Sequence, residues 1–104
     1  MYGRLIEVDG IDASKRDEVV QIIREKVIPG LQEVDGFAGF ISLMDEEKSR
    51  GRSIVLWETK EGADEAERQF KARREEIVRN AGGTVRSADL YEAPIVHVLA
   101  GVHA

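Results

Sequence analysis

The spacing of apolar residues at the start of the chain predicts a strand followed by a helix. The strand runs from Tyr2 to Val8 and ends at the turn pair Asp9-Gly10. Apolar residues then recur at gaps of three and four, the period of a helix with one buried face. They are Val20, Ile23, Val27, Leu31 and Val34.

The ends of this helix carry their own signals. Asp12 or Ser14 is placed to cap its first turn, because each has a side-chain oxygen that accepts from unpaired backbone amides. Pro29 lacks an amide hydrogen and disfavours a helical residue before it, which predicts a break or kink near Ile28. Gly36 predicts a left-handed residue that closes the segment.

Two more strands, a second helix and a fourth strand follow. The pattern predicts strands at Phe37–Met44 and Arg52–Glu58, joined by a polar hairpin loop. A helix is predicted over 62–80 and a strand over 84–93. The helix carries a thin apolar stripe: Ala63, Ala66, Phe70, Ile77 and Ala81. Opposite charges four residues apart are expected to pair on its solvated faces: Asp64–Arg68, Glu67–Lys71 and Glu75–Arg79.

This order of elements predicts an α+β fold. Strand, helix, strand, strand, helix, strand is the ferredoxin-like βαββαβ plait, an antiparallel four-stranded sheet with both helices on one face. We expect one domain over residues 1–94. Residues 95–104 follow Pro94 as an apolar, β-prone tail that packs on a partner subunit or folds back within its own chain.

The two middle strands are apolar on both faces, which predicts a dimer. Phe37, Ile41 and Leu43 share one parity, while Phe40 and Met44 lie on the other. In the next strand Val55 and Trp57 oppose Ile54 and Leu56. The helices cover only one face of the sheet, and large uncovered apolar patches are rare on monomers. A homodimer that packs sheet on sheet would cover the other face.

Composition narrows the function classes. The 104 residues carry 20 acidic and 15 basic side chains, a net charge of −5, which argues against a nucleic-acid interface. No cysteine is present, so disulfides, thiolate metal sites and cysteine nucleophiles are excluded. No apolar run approaches the roughly 20 residues that span a bilayer, and the N-terminus has no signal-peptide pattern. We therefore expect a cytoplasmic protein without a membrane partner.

A set of short motifs resembles the antibiotic biosynthesis monooxygenase family. They are Pro29-Gly30-Leu31, Asp35-Gly36-Phe37-Ala38-Gly39-Phe40, Ile54-Val55-Leu56-Trp57-Glu58-Thr59 and Tyr91-Glu92, with a charged helix before the last. The resemblance covers about residues 2 to 93. It implies two plaits that pair as a dimeric α/β barrel. Some members of the family are cofactor-independent oxygenases of polyketide aromatics or quinols, and others degrade haem.

The specific enzyme signatures of that family are incomplete here. The haem-degrading relatives carry Asn on the first strand and His on the second helix, and this sequence has neither at those places. We therefore expect no haem. The sequence also has no thiolate set and no G-x-G-x-x-G turn, so we expect no metal and no other cofactor. Relatives that oxidise polyketides place Asn before the Trp of the third strand and Tyr after it. Ser53 and Ala63 stand in those regions, so only Trp57 remains of that set.

The predicted ligand pocket lies between helices and sheet and contains Ser53, Val55, Trp57, Phe70 and Tyr91. Trp57 would wall a site for a planar apolar ligand, but the commoner role of such a residue is a large core or interface aromatic. Tyr91 would donate a proton, and it is also typical of a sheet edge. His97 would reach a partner's pocket as a general base, or simply belong to a packed tail.

Other polar residues carry weaker predictions. Tyr2 and Arg86 would stabilise an enolate or phenolate, and Glu58 or Asp89 would act as a base if buried. The commoner alternative for all four is an exposed structural role. His97 and His103 lack an acidic or thiolate partner, which makes a metal site a poor interpretation.

Two functions remain open. The first is a cofactor-free monooxygenase that acts on a small aromatic or quinone-type metabolite. The second is a non-catalytic homodimer of the same fold that binds a small ligand or is associated with stress. Oxygen chemistry without a metal or flavin would require a substrate that forms a stabilised carbanion, with the protein positioning it and excluding water.

Overall fold

The sheet is antiparallel, and its strands lie in the order β2-β3-β1-β4. The computed structural model describes residues 1–99. The strands are β1 Tyr2–Asp9, β2 Phe37–Asp45, β3 Arg50–Trp57 and β4 Thr84–Glu92. β1, the first in the chain, lies in the interior of the sheet between β3 and β4. This interleaving of two βαβ units confirms the predicted α+β ferredoxin-like plait.

The helical layer has two parts. The first helical run comprises a 3₁₀ turn Ala13–Lys15, α1 Arg16–Ile22, a π-helical turn Ile23–Val27 and α2 Ile28–Gln32. The second part is the single long helix α3, Lys60–Asn80. Both pack on the same face of the sheet, because the buried side chains of both belong to one cluster with that face. We call it the inner face, and the opposite one the outer face.

The irregularity predicted near Ile28 takes the form of a π turn, and the helix does not break there. Ile28 keeps a right-handed helical conformation, with φ −60° and ψ −48°, and its amide donates to the Ile23 carbonyl five residues earlier. The chain therefore stays helical by widening into a π turn just before the proline. Such a turn accommodates the backbone irregularity that a missing amide hydrogen creates.

The helix caps follow the sequence signals. The Asp12 carboxylate accepts from the Ser14 amide at 2.9 Å, so Asp12 rather than Ser14 supplies the first cap. Gly36 has φ +91°, the left-handed conformation that its position predicts. α3 begins at Lys60, two residues earlier than expected, because the Thr59 hydroxyl caps it by accepting from the Gly62 amide at 3.1 Å.

The inner face forms the core around Trp57, which is only 1% exposed. Ile6, Val8 and Val55 share this face, and Ala63 and Ala66 of α3 pack over it. The ring of Phe37 meets Trp57 edge to face, with centroids 5.7 Å apart.

Two β-bulges shift the register of the strands, and the first of them overturns the predicted parity of Phe37. A register shift between Phe37 and Gly39 brings Phe37 to the Trp57 side, although simple alternation places it with Ile41 and Leu43. A second shift between Glu7 and Val8 pairs Val85 with Val8 and packs it against the core. An extra residue in one strand reverses which face the following side chains take.

The outer face is apolar toward the row of Tyr91 and charged toward the opposite end, where Leu43 is the register partner of Arg52. Ile41 is 41% exposed, and Leu43 and Tyr91 are each 54% exposed. At the charged end Arg52 and Arg86 lie beside acidic side chains of β1, at 3.5 to 3.7 Å. The prediction that β2 and β3 carry apolar residues on both faces is thus correct.

The segment after Pro94 forms no strand over residues 95–99. Its apolar side chains Ile95, Val98 and Leu99 are 84%, 61% and 73% exposed. The remainder of the predicted β-prone tail, with His103, lies outside the described residues. Within residues 1–99, no helix is long and apolar enough to cross a membrane.

Candidate ligand cavity

A cavity of about 140 Å³ lies between the first helical run, α3 and the inner face of the sheet. A dry cavity of about 150 Å³ lined by aliphatic and aromatic side chains binds benzene, so this volume suits one aromatic ring. The walls are mainly apolar. Their larger members are Ile6, Ile23, Leu31, Phe40, Met44, Val55, Trp57, Phe70 and Ile77.

The size of the side chains that face the sheet varies along the helices, and glycine occupies one of these positions in α2. Gly30 of α2 approaches Phe70 so closely that a Cβ there would lie 3.2 Å from Phe70 Cε1. The phenyl ring is thereby held at one side of the cavity. The π turn adds Ile23, Lys26 and Val27 to the wall. Irregular π turns recur at functional sites, and this one places three residues on the cavity.

Two hydroxyls lie on the sheet side of the cavity. Ser42 of β2 and Ser53 of β3 are direct register partners in an antiparallel pair, so their side chains share the inner face. Both line the cavity. They are neutral groups that donate or accept, and they would suit a ligand oxygen of either kind.

The polar end of the cavity is an ion cluster of Arg4, Glu67 and Arg74. Arg74 binds the Glu67 carboxylate with both terminal nitrogens, at 2.7 Å and 3.0 Å. Arg4 Nε lies 3.8 Å from the same carboxylate, and Arg4 Nη1 donates to the Ala88 carbonyl at 2.8 Å. The side chains of Arg4 and Arg74 are 11% and 15% exposed. Planar guanidinium groups in such forked pairs are fixed in orientation.

Glu67 stays ionised in this cluster. Burial pulls the pKa of its carboxyl upward, but hydrogen bonding to Arg74, together with the charges of Arg74, Arg4 and Lys71, lowers that pKa below its usual value. A carboxylate held in this way is a weak proton acceptor. Glu67 therefore orients the arginines rather than serving as a general base.

Four of the five predicted pocket residues line the cavity, and one lies on the opposite face of the sheet. Ser53, Val55, Trp57 and Phe70 line the cavity together. Tyr91 does not, because its register opposite Gly3 places it on the outer face, where it is 54% exposed.

The other predicted polar residues also lie away from the cavity lining. His97 is exposed in the segment after Pro94, and Glu58 and Asp89 are exposed as well. Arg86 lies 3.6 Å from Asp9 at the charged end of the outer face. Tyr2 is half-buried and packs against the core cluster without lining the cavity.

The charge pairs on α3 differ from those expected at i,i+4 spacing. Glu67 pairs with Arg74, seven residues on, rather than with Lys71. Arg68 pairs with Glu65, three residues back, at 2.7 Å. Asp64 lies 4.0 Å from Arg4 of β1. Glu67 and Asp64 thus lie beside the buried Arg4 of the sheet instead of pairing with Lys71 and Arg68.

The ion cluster is the part of the site that sequence reasoning missed. Its signal is nonetheless present, because Arg4 alternates with Ile6 and Val8 on one face of β1. A cation in an apolar row requires a buried partner. The Glu67 carboxylate of α3 supplies it and is itself held by Arg74, two helical turns further on. No group of three or more His, Cys, Asp or Glu within residues 1–99 is arranged to hold a metal ion.

Solved structures share this fold at low sequence identity. A monooxygenase from the ActVA-Orf6 gene of Streptomyces coelicolor, in complex with nanaomycin D, has a TM-score of 0.67 and 13% identity. That match covers 94% of this chain and 90% of the other. A dimeric ferredoxin-like protein from an uncultured marine organism gives 0.69 and 9%, covering 95% of this chain and 100% of that one.

An antibiotic biosynthesis monooxygenase structure gives a TM-score of 0.60 and 16% identity, covering 89% of this chain and 98% of the other. These matches confirm the predicted resemblance to antibiotic biosynthesis monooxygenase-like structures at the level of fold. No protein-family model matches the chain. No curated protein matches it either.

Proposed function

We propose that the protein is a cofactor-free monooxygenase that oxidises a small aromatic or quinol-type metabolite in the cavity above the inner face. The observation that carries the proposal is the cavity itself: apolar, of one-ring size, walled by Trp57 and Phe70, with a cationic end at Arg4 and Arg74. The similarity in fold to a monooxygenase that binds nanaomycin D supports it.

The residues of the cavity suit a substrate that ionises readily. Arginines near a phenol or enol favour its anion and so stabilise the electron-rich carbanion form. The carbanion and O₂ form a C–O bond, and a proton completes a hydroperoxide. Loss of water then leaves a carbonyl, so that CH₂ and O₂ become C=O and H₂O. The substrate supplies all four electrons, and the apolar walls exclude bulk water from the intermediate.

We also propose a homodimer formed by the outer faces of two sheets. Ile41, Leu43 and Tyr91 leave an apolar area there that a second copy would cover. The charged end with Arg52 and Arg86 beside β1 carboxylates would meet its own equivalent across a two-fold axis. The dimeric ferredoxin-like neighbour supports this arrangement.

The test is oxygen uptake with a panel of hydroquinones and anthrones. We expect turnover that persists after dialysis against a chelator, and a rate at least about ten-fold lower for Trp57→Phe, because a looser wall misplaces the ring. The matched aromatic variant is Tyr91→Phe, which removes a hydroxyl outside the cavity and should retain the rate. Uptake equal to the protein-free background with every substrate would refute the enzyme.

One observation favours the non-catalytic alternative. Among the described residues that line the cavity, the only carboxylate is Glu67, and it is committed to Arg74. A binding protein needs no proton acceptor. If the substrates quench Trp57 fluorescence and yet consume no oxygen, the cavity binds its ligand without reaction.

A further inference from the structure

The charges around the cavity are opposite in sign to those of the whole chain. The protein has a net charge of −5. Among residues 1–99, those that line the cavity from the helices and the inner face nevertheless include four cations and one carboxylate, Glu67. The cations are Arg4, Lys26, Arg73 and Arg74, whereas the side chain of Arg52 lies on the outer face. A concave, low-dielectric site lined by one sign of charge concentrates ligands of the other sign.

The existing ion pairs leave part of this positive charge unbalanced. Arg52 has its own acidic neighbours on β1, at 3.5 and 3.7 Å. Arg4 and Arg74 share the single Glu67 carboxylate, with Asp64 at 4.0 Å from Arg4. Lys26 and Arg73 flank the groove between the first helical run and α3. Within residues 1–99 neither of these two forms a salt bridge with a carboxylate.

Arg74 also has an unused donor. Its terminal nitrogens are both engaged by Glu67, while Nε is buried and has no acceptor among residues 1–99. A buried donor without a partner is unfavourable, and an anionic acceptor relieves it most strongly. Arg74 lines the cavity, so an anionic ligand held there would lie beside this donor.

We propose that the cavity selects a one-ring aromatic molecule that carries an anionic oxygen, with the anion directed to Arg74 and Arg4. The ring occupies the space beside Trp57 and Phe70. Lys26 and Arg73 at the groove attract the anion during entry. This rests on the proposed function in taking the same cavity as the site, and it adds the chemical class of the ligand. A carboxylate and an ionised phenol share the required chemistry.

The test compares benzoate with benzamide, which have the same shape and differ in charge. Trp57 is the only tryptophan, so its fluorescence reports occupancy of the cavity, and calorimetry provides a second measurement. We expect benzoate to bind roughly 10- to 100-fold more tightly than benzamide, the range for a hydrogen bond to a charged group. Arg74→Met should abolish the difference. The matched control Arg79→Met removes an exposed charge from the same helix and should retain it.

Two further measurements distinguish loss of the anion site from misfolding, and a phenolate ligand from a carboxylate. Because Arg74→Met leaves Glu67 unpaired and risks misfolding, the double variant Glu67→Gln/Arg74→Met removes both charges and should also lose the preference. For the phenol source, the colour of 4-nitrophenol reports its ionisation, and binding should lower its pKa. If 4-nitrophenol responds and benzoate does not, the ligand is a phenolate, and the reverse response identifies a carboxylate.

The proposal is overturned if benzoate and benzamide both bind and do so equally tightly, or if Arg74→Met keeps the preference for benzoate. It is also overturned if neither benzoate nor 4-nitrophenol binds. These outcomes are independent of the oxygen-uptake assay. Turnover of hydroquinones with no preference for anions would retain the enzyme and remove the anion site. Preference for benzoate without any oxygen uptake would retain the anion site and remove the oxygenase.

Discussion

The two faces of the sheet are built from the same strands, but their apolar side chains differ in solvent exposure. On the inner face Trp57 is 1% exposed, because α2 and α3 pack over its surroundings. On the outer face Ile41 and Leu43 are 41% and 54% exposed although they are as apolar. The burial of an apolar strand residue therefore depends on what lies above it, and in this fold one chain supplies cover for one face only.

The inner face should dominate the stability of the folded chain. Trp57→Ala removes the largest fully buried side chain and should lower the free energy of unfolding by about 3–5 kcal/mol. Leu43→Ala on the outer face is expected to cost about 1 kcal/mol or less, since more than half of this side chain is exposed within one chain. Urea unfolding measures both, at one protein concentration low enough that the chain is monomeric. Equal losses would contradict the contrast between the faces.

The outer face should dominate association. A carboxylate introduced by Ile41→Asp would be desolvated without a partner in the proposed interface, twice in each symmetric dimer. We expect the dimer dissociation constant to rise about 100-fold, or ~2.7 kcal/mol, with the far-ultraviolet circular dichroism unchanged. Light scattering over a dilution series measures it.

Gln32→Glu is the control for this experiment. Gln32 is an exposed residue of α2, so the added negative charge lies on the helical side of the sheet and outside the proposed interface. A wild-type chain of single-subunit mass at micromolar concentration would overturn the proposed dimer.

The ion cluster at the cavity should give a smaller, pH-dependent effect. The folded-state pKa of Glu67 is lowered, so its contribution to stability is present above the unfolded pKa and is lost as pH falls through the folded one. Glu67→Gln should cost roughly 1 kcal/mol at pH 7 and progressively less below about pH 4. Thermal unfolding across pH 3 to 7 measures the difference between the variant and the wild type.

Glu65→Gln is the matched variant, because it breaks an exposed pair with Arg68 on the same helix and should cost less at pH 7. A loss for Glu67→Gln that stays constant down to pH 3 would show that ionisation of this carboxyl does not support the fold.

Local patterns predicted the elements well and the faces of individual side chains less well. The alternation in β1 and β3 places Ile6, Val8, Val55 and Trp57 on one face without any tertiary information. The same rule fails at Phe37 and Val85, because a bulge adds one residue to a strand and reverses the faces beyond it. Bulges are set by how strands pair and twist, which no single strand encodes.

The cavity likewise contains residues that local patterns predict and others that only tertiary contacts bring together. Four of the five predicted pocket residues line the cavity, since strand parity and helical period place Val55 and Phe70 toward one another. Tyr91 is the exception, and its parity was already that of the outer face once β4 is paired with β1. Arg4 and Arg74 were missed because their partnership through Glu67 joins a strand to a helix more than 60 residues away.

The amino-acid sequence by itself determined the order of the elements, the helical stripes, the caps at Asp12 and Gly36 and the apolar character of both sheet faces. These depend on residues within a few positions of one another and on the fixed periods of helix and strand. Only the tertiary structure decided the bulges, the π turn before Pro29, the cavity and its cationic end. Each of those results from packing and electrostatics between segments distant in sequence, where geometry rather than local preference sets the free energy.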